Sequence, residues 1–284
     1  MTPLFALPSP FQTEWGTLLL LEPPTADAAT LRQQLLEENY DKPFVVDDGS
    51  CRYLYFNIRL MQSAMRIKAP DELELRYTQQ MMAALLFCPR PRRILLIGLG
   101  GGSLAKFCHR RLPGAQLTAV ELDPHVIALR EAFMLPADDA RLQVVAGDGR
   151  EYLAKVAQGI DLLLVDAFDA SGLAPGFADQ FFFARARAKL AGKGVLVINL
   201  AGERETYAGL ISEVQTVFDD QVIVLSVPED GNHILFAFRD PMFEPRWRWL
   251  HNFARELRAT YGLDFPTFAA KLEQAAKRGL PRFA

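Results

Sequence analysis

Ile94-Leu95-Leu96-Ile97-Gly98-Leu99-Gly100-Gly101-Gly102-Ser103 joins an uninterrupted apolar run to a stretch rich in glycine and then to a helix-forming segment. An apolar run without polar alternation predicts a strand buried on both faces. The glycines predict a tight strand-to-helix turn at which a ligand approaches the backbone. As a G-x-G-x-x-G pattern the turn fails at its third glycine, where Ser103 stands. Such a turn serves a fold as readily as a nucleotide, so the segments around it must discriminate.

Downstream, short apolar segments alternate with helical ones: Leu117 to Leu122, Leu142 to Ala146, Leu162 to Val165, Val195 to Leu200, Val222 to Val227 and Ile234 to Phe238. This is the pattern of a parallel sheet covered on both faces. The last two segments are separated only by Pro228-Glu229-Asp230-Gly231-Asn232, too short for a helical crossover, so the final strand should run antiparallel to the one before it. A nicotinamide-type Rossmann domain lacks that hairpin. The expected fold class is therefore α/β, the seven-stranded class I methyltransferase (Rossmann-like) sheet with an antiparallel last strand.

Upstream, Phe44-Val45-Val46, Tyr53 to Phe56 and Leu60 to Met65 alternate around the turn Asp47-Asp48-Gly49 and predict a small N-terminal antiparallel β domain. The apolar positions from Glu72 to Phe87 predict a mostly buried helix starting near Asp71. Residues 1–38 hold one apolar run and a short amphipathic stretch from Asp27 to Glu38, with no motif. The expected division is an N-terminal β-rich region with a linking helix over 1–88, an adenosyl-binding Rossmann-like domain over 89–240, and a helical extension over 241–284.

Three strand ends carry matching chemistry. Glu121 closes the second strand just over twenty residues after the first glycine, where a carboxylate can accept from both ribose hydroxyls. Asp123, before Pro124, reads as a helix cap. Asp148 in Ala146-Gly147-Asp148-Gly149 can accept from an adenine amino group, or cap the next helix. Asp166 and Asp169 leave the fourth strand three residues apart, where the sulfonium of an adenosyl donor would sit. Carboxylates there attract a cationic substrate and can take a proton from an attacking amine. As turn residues they would merely cap. Taken together, the strand ends predict an adenosyl-sulfonium ligand, S-adenosylmethionine or its decarboxylated form.

The composition agrees with a small-molecule partner. Of 284 residues half are hydrophobic, and 31 basic against 34 acidic residues leave a net charge of −3, which argues against a nucleic-acid binder. Cys51, Cys88 and Cys108 form no pairing motif, and His109, His125, His233 and His251 show no metal-ligand spacing, so no disulfide and no metal are expected. The early run Leu18 to Leu21 is too short for a membrane span and lacks the basic lead of a secretory signal, so a cytoplasmic protein without membrane contact is expected.

From about Gln62 to Arg239 the chain resembles the spermidine synthase family of polyamine aminopropyltransferases. Gly98-Leu99-Gly100-Gly101-Gly102 resembles the family's G-G-G-D-G turn, and Val120 to Asp123 its V-E-I-D. Asp148-Gly149 resembles its D-D-G or D-A, and Asp166 to Gly172 its D-x-x-D-P-x-G-P. The resemblance implies a transferase that moves an aminopropyl group from decarboxylated S-adenosylmethionine to a polyamine such as putrescine, and that works as a dimer or tetramer. It implies that Gln62, Gln79, Gly98, Gly100, Gly102, Glu121, Asp148 and Gly149 hold the donor, with Asp169 as the base and Asp166 beside it. The pattern also departs. Gly101 stands where the family has the Asp that anchors the donor's charged end, Ala170 replaces a proline, and Thr78-Gln79-Gln80 replaces Tyr-His-Glu or Tyr-Gln-Glu, with Tyr77 one residue out of register. Two alternatives stand beside this reading. One is an S-adenosylmethionine-dependent methyltransferase of unknown acceptor, favoured by Gly101, and the other a catalytically silent nucleoside-binding protein. Self-association is expected through the N-terminal β unit, with its Tyr53, Tyr55 and Phe56.

Overall fold

The computed structural model describes residues 4–11, 15–169, 172–173, 177, 179–202 and 204–279. An antiparallel meander comes first: β1 (Phe5–Pro8), β2 (Thr17–Leu20), β3 (Phe44–Asp47), β4 (Cys51–Asn57) and β5 (Leu60–Arg66), adjacent in that order, with α1 (Ala28–Leu36) after β2. The turn between β3 and β4 follows the chemistry of Asp47-Asp48-Gly49. Gly49 has φ 85°, and the two carboxylates accept from the N–H groups of Gly49, Ser50 and Cys51. β1 and β2 extend the unit beyond its sequence expectation. They are four residues long, too short for a pattern of their own, and are defined by pairing to each other and to β3.

Both faces of this sheet are covered. Leu18, Leu20, Val46 and Tyr55 pack with Leu31 and Leu35 of α1, while Val45, Leu54 and Met65 meet Leu129 and Phe133 on the other side. Tyr55, expected to drive self-association, is buried and stacks on Phe44 at 5.7 Å.

The linking helix differs from expectation. It is α2 (Arg76–Met81) followed by a 3₁₀ turn over Met82–Leu86. Asp71 does not cap it. Leu75 is the N-cap residue without a side-chain bond, and the Tyr77 N–H donates instead to Asp230 at 2.7 Å. A tertiary acceptor has replaced the local one, and the helix starts later than its apolar pattern.

The main sheet comprises β6 (Arg93–Ile97), β7 (Gln116–Glu121), β8 (Leu142–Ala146), β9 (Ile160–Val165), β12 (Leu190–Ala201), β13 (Val222–Val227) and β14 (Asn232–Phe238). The two-residue strands β10 (Phe168–Asp169) and β11 (Gly172–Leu173) pair outside it. Its order is β13-β14-β12-β9-β6-β7-β8, and β14 is antiparallel to both neighbours. This is the expected seven-stranded class I methyltransferase sheet. Its helices are α3 (Ser103–Arg111), α4 (Pro124–Ala128), α5 (Gly149–Lys155), α6 (Gln180–Lys189) and α7 (Ala208–Val217), then α8 (Trp247–Tyr261) and α9 (Phe265–Arg278). Because side chains alternate across a strand, Ile94 and Leu96 join one core with Phe107, Leu250 and Phe265, while Leu95 and Ile97 join the other with Phe183, Ile211 and Phe218.

The strand ends are stapled beyond the sheet. Gly98 N–H donates to Val120, Gly147 N–H to Glu121 and Asp166 N–H to Ile97, at 2.8–2.9 Å. Gly98 also lets the end of β9 lie against the turn: at φ 92°, a Cβ there would lie 2.1 Å from the Asp166 carbonyl oxygen. The carboxylates at residues 121, 148 and 166 are thereby brought to one edge.

Candidate active site

A cavity of about 1060 Å³ opens at the carboxyl ends of β6, β7, β8, β9 and β12, and residues of β4, β5 and α2 close its far side. Of the expected site residues, Gln62, Gly98, Gly100, Glu121, Asp148, Gly149 and Asp166 line it. Gln79 does not line it, because its side-chain amide donates to the Leu73 carbonyl at 2.7 Å. Gly102 does not line it either. It is the left-handed N-cap residue of α3, turned so that a Cβ would meet Leu135 at 2.9 Å. Asp169 belongs to β10 by its backbone, and its side chain lies outside the described residues, as do Ala170 and Ser171.

Glu121 is doubly braced. One oxygen accepts from the Leu99 N–H at 2.8 Å and the other from the Asp123 N–H at 2.9 Å, so the carboxylate is locked between the glycine turn and its own turn. Each oxygen retains a second acceptor position. Asp123 caps α4 through the His125 N–H, with Pro124 at the first helical position, as its sequence predicts. Asp148 is the helix cap of one of its two readings, at α5, and it faces the cavity as well. Its pair with Arg150 at 2.6 Å, which also lies over the Phe177 ring, holds its carboxyl below the usual range.

Asp166 sits half-buried at the cavity floor. Its Oδ1 accepts from Asn199 Nδ2 at 2.8 Å and its Oδ2 from the Tyr77 hydroxyl at 3.3 Å. Desolvation pushes its pKa from 3.8 to about 6, and the nearby Glu121 charge adds to the rise, while the Asn199 and Tyr77 hydrogen bonds oppose it. The Tyr77 hydroxyl is raised well above its ordinary value, by burial first and then by Asp166. Tyr77, one residue out of register in the sequence match, thus reaches the site.

Several cavity residues escaped the sequence reading. Leu122 is 70 % exposed on the cavity wall, an apolar side chain without a cover. Its place between Glu121 and Asp123, directly after a strand end, was the available signal. Asn199 and Asn232 are buried amides at 2 % and 6 % exposure. At Gly101 a Cβ would lie 2.7 Å from Ser63 Oγ and 2.9 Å from the Phe133 ring, so Ser63 fills the space a side chain would need. Ser63 Oγ lies 3.5 Å from Ser103 Oγ.

The cavity wall is strongly anionic. Among the described residues it carries seven carboxylates, at 41, 121, 123, 148, 166, 229 and 230, and a single basic side chain, Arg150, already paired with Asp148. No cluster of described residues is arranged to hold a metal ion, and none of the described helices is long and apolar enough to cross a membrane.

The family model described as the spermine/spermidine synthase domain matches residues 74–227. A polyamine aminopropyltransferase of Chromobacterium violaceum is 35 % identical over 231 residues, which span 81 % of this chain and 88 % of that one. A probable spermidine synthase of Corynebacterium glutamicum superposes with a TM-score of 0.64 at 20 % identity, covering 85 % of this chain and 95 % of that one. Human methyltransferase-like protein 13, solved in complex with SAH, superposes with a TM-score of 0.57 at 22 % identity, covering 74 % of this chain and 95 % of that one.

Proposed function

The chain belongs to the spermine/spermidine synthase family, and on that premise we propose that it moves an aminopropyl group from decarboxylated S-adenosylmethionine to a polyamine such as putrescine. The observation that carries the reading is the charge of the cavity: with Asp148 paired to Arg150 and Glu229 to Arg76, five carboxylates without a Lys or Arg partner among the described residues remain, at 41, 121, 123, 166 and 230, and they favour a ligand with several positive charges. Glu121 accepts from the ribose hydroxyls, Asp148 from the adenine amino group, and the exposed Leu122 covers a face of the base. The acceptor nitrogen bonds to the methylene carbon beside the sulfonium, the carbon–sulfur bond breaks towards sulfur, and methylthioadenosine leaves uncharged. The surplus proton on nitrogen passes to a carboxylate. Asp169 is the base, and Asp166, with its pKa near 6, holds the nitrogen's other hydrogens.

Calorimetric titration with the decarboxylated and the parent nucleoside, followed by transfer assays with diamines, tests this reading. Tighter binding of the decarboxylated form with aminopropyl transfer upholds it. Tighter binding of the parent form with methyl transfer supports a second reading, a methyltransferase. That reading is favoured by one observation, the uncharged corner of Ser63, Gly101 and Ser103 where no anion repels a methionine carboxylate. The acidic cavity and net charge of −3 support a protein that acts on small amines and not on nucleic acid, and the three free cysteines, Cys51, Cys88 and Cys108, fit the cytoplasmic location, apart from the membrane, that is part of the proposal. A homodimer is part of the proposal: β1 is an edge strand and Trp15 beside it is 71 % exposed. A monomer by light scattering at micromolar concentration overturns that part.

A further inference from the structure

Asp166 is held in a closed ring of hydrogen bonds that returns twice to one hairpin turn. Asn232, the first residue of β14, donates through Nδ2 to Asn199 Oδ1 at 2.8 Å, and Asn199 Nδ2 donates to Asp166 Oδ1 at 2.8 Å. On the other side the Tyr77 hydroxyl donates to Asp166 Oδ2, and the Tyr77 backbone N–H donates to Asp230 in the turn between β13 and β14. The turn itself is pinned to the end of β12 by the Gly202 N–H, which donates to the Gly231 carbonyl at 2.8 Å. Each oxygen of Asp166 is therefore taken by a different arm of the ring. Because an ionised carboxylate only accepts, Asn199 must present its amino group to Asp166 and its oxygen to Asn232, and the order of donors around that arm follows.

We infer that the turn between β13 and β14 is a positioning element of the acceptor site, acting on Asp166 through Asn199 on one side and through Tyr77 on the other. The inference rests on the acceptor role proposed for Asp166. Asn199 and Asn232 are positioning residues: they set the direction of the carboxylate and favour its charged form, the form that attracts an ammonium and accepts its hydrogens while Asp169 takes the proton. The titratable groups facing Asp166 are Tyr77 from α2 and Glu121 from the end of β7, with Asp230 behind the tyrosine. Asp169 follows on β10.

The test is the pH profile of kcat/KM for an amine acceptor in the wild type, Asn199→Ala, Asn199→Asp and Asn232→Ala. Asn199→Ala removes a donor to the carboxylate, so the acid limb moves to higher pH. The rate constant should fall by about 10-fold near pH 6 and recover to within about 3-fold near pH 9, with donor affinity unchanged. Asn199→Asp sets a like charge beside Asp166 and moves the limb further, while Asn232→Ala, acting through Asn199, moves it less in the same direction. A loss that is uniform across pH, with the limb in place, overturns the inference, as does an unchanged profile. If the Asn199 variants do not fold, Asn232→Ala decides alone. Titration of the Asp166 carboxyl carbon by NMR needs no turnover. Absence of aminopropyl transfer in the wild type therefore defeats the proposed function, whereas an Asp166 midpoint unmoved by Asn199→Ala defeats this inference.

Discussion

Replacing Asp166 by asparagine should make the protein more stable and nearly inactive, and the size of the first effect follows from its surroundings. The oxygen of the introduced amide would accept from Asn199, and its amino group would donate to the Tyr77 hydroxyl oxygen, which can accept as well as donate, so the ring stays closed. The difference is the charge. Burial raises the Asp166 pKa from 3.8 to about 6, so the folded state binds its proton more tightly than the unfolded chain does. Below about pH 3.8 the carboxyl is neutral in both states, and no penalty exists. The wild type loses stability as the pH rises from about 4 to about 6, and carries the whole penalty above about pH 7. At about 1.4 kcal/mol for each tenfold change in proton affinity, the rise corresponds to roughly 3 kcal/mol, and screening by cleft water brings the expected gain for the variant to about 1–3 kcal/mol. Thermal melts of both proteins near pH 4 and pH 8 read it out: similar midpoints at the lower pH, and a variant higher by roughly 2–5 °C at the upper. Turnover should fall by about 10²- to 10⁴-fold. A stability difference that is the same at both pH values, or a variant less stable near pH 8, refutes the reasoning, because the charge at Asp166 would then carry no folding cost.

Glu121→Gln keeps one acceptor oxygen and turns an amino group against either the Leu99 or the Asp123 N–H, so nucleoside affinity should drop by about 100-fold with a loss of about 1–3 kcal/mol in stability; calorimetric binding within about twofold of wild type would remove Glu121 from the ribose site. Gly98→Ala sets a Cβ against the Asp166 carbonyl at a left-handed φ, which neither backbone can absorb. A loss above about 3 kcal/mol in urea denaturation is expected, and a loss under about 1 kcal/mol would show that the two strand ends part easily. Asp169→Asn should lower kcat by about 10²- to 10⁴-fold with donor binding intact, and raising the pH should partly restore it as free amine becomes available. Full activity in that variant would make Asp169 a turn residue.

The sheet and the row of carboxylates at its cavity edge were legible because each rests on local pattern. Ile94 to Ile97 had no polar residue to expose, Glu121 closes β7, and Asp148 stands two residues past the end of β8. The ring around Asp166 was not legible, because Tyr77, Asn199, Asp230 and Asn232 come from separate elements and no period links them. Asn199 did leave a trace: a lone amide inside the buried run Val195 to Leu200 requires a partner, since an unpaired buried amide costs on the order of 1–3 kcal/mol. Gln79 was placed on the donor only by its match to a family motif, and a motif does not carry the direction of its side chain. In the structure its amide donates to the Leu73 carbonyl, in the segment just before the helix.

The place of β14 bears on how the protein is made. It is inserted between β12 and β13, both of which precede it in the chain. As the polypeptide leaves the ribosome, β12 offers an unpaired edge and β13 has no neighbour to receive it until the residues from Asn232 onward have been synthesised. The strand that fills the gap also delivers Asn232, so the sheet and the setting of Asp166 are completed by the same late event. Nascent or truncated chains ending before Asn232 should therefore be aggregation-prone and inactive together, with no soluble intermediate that retains a formed acceptor pocket.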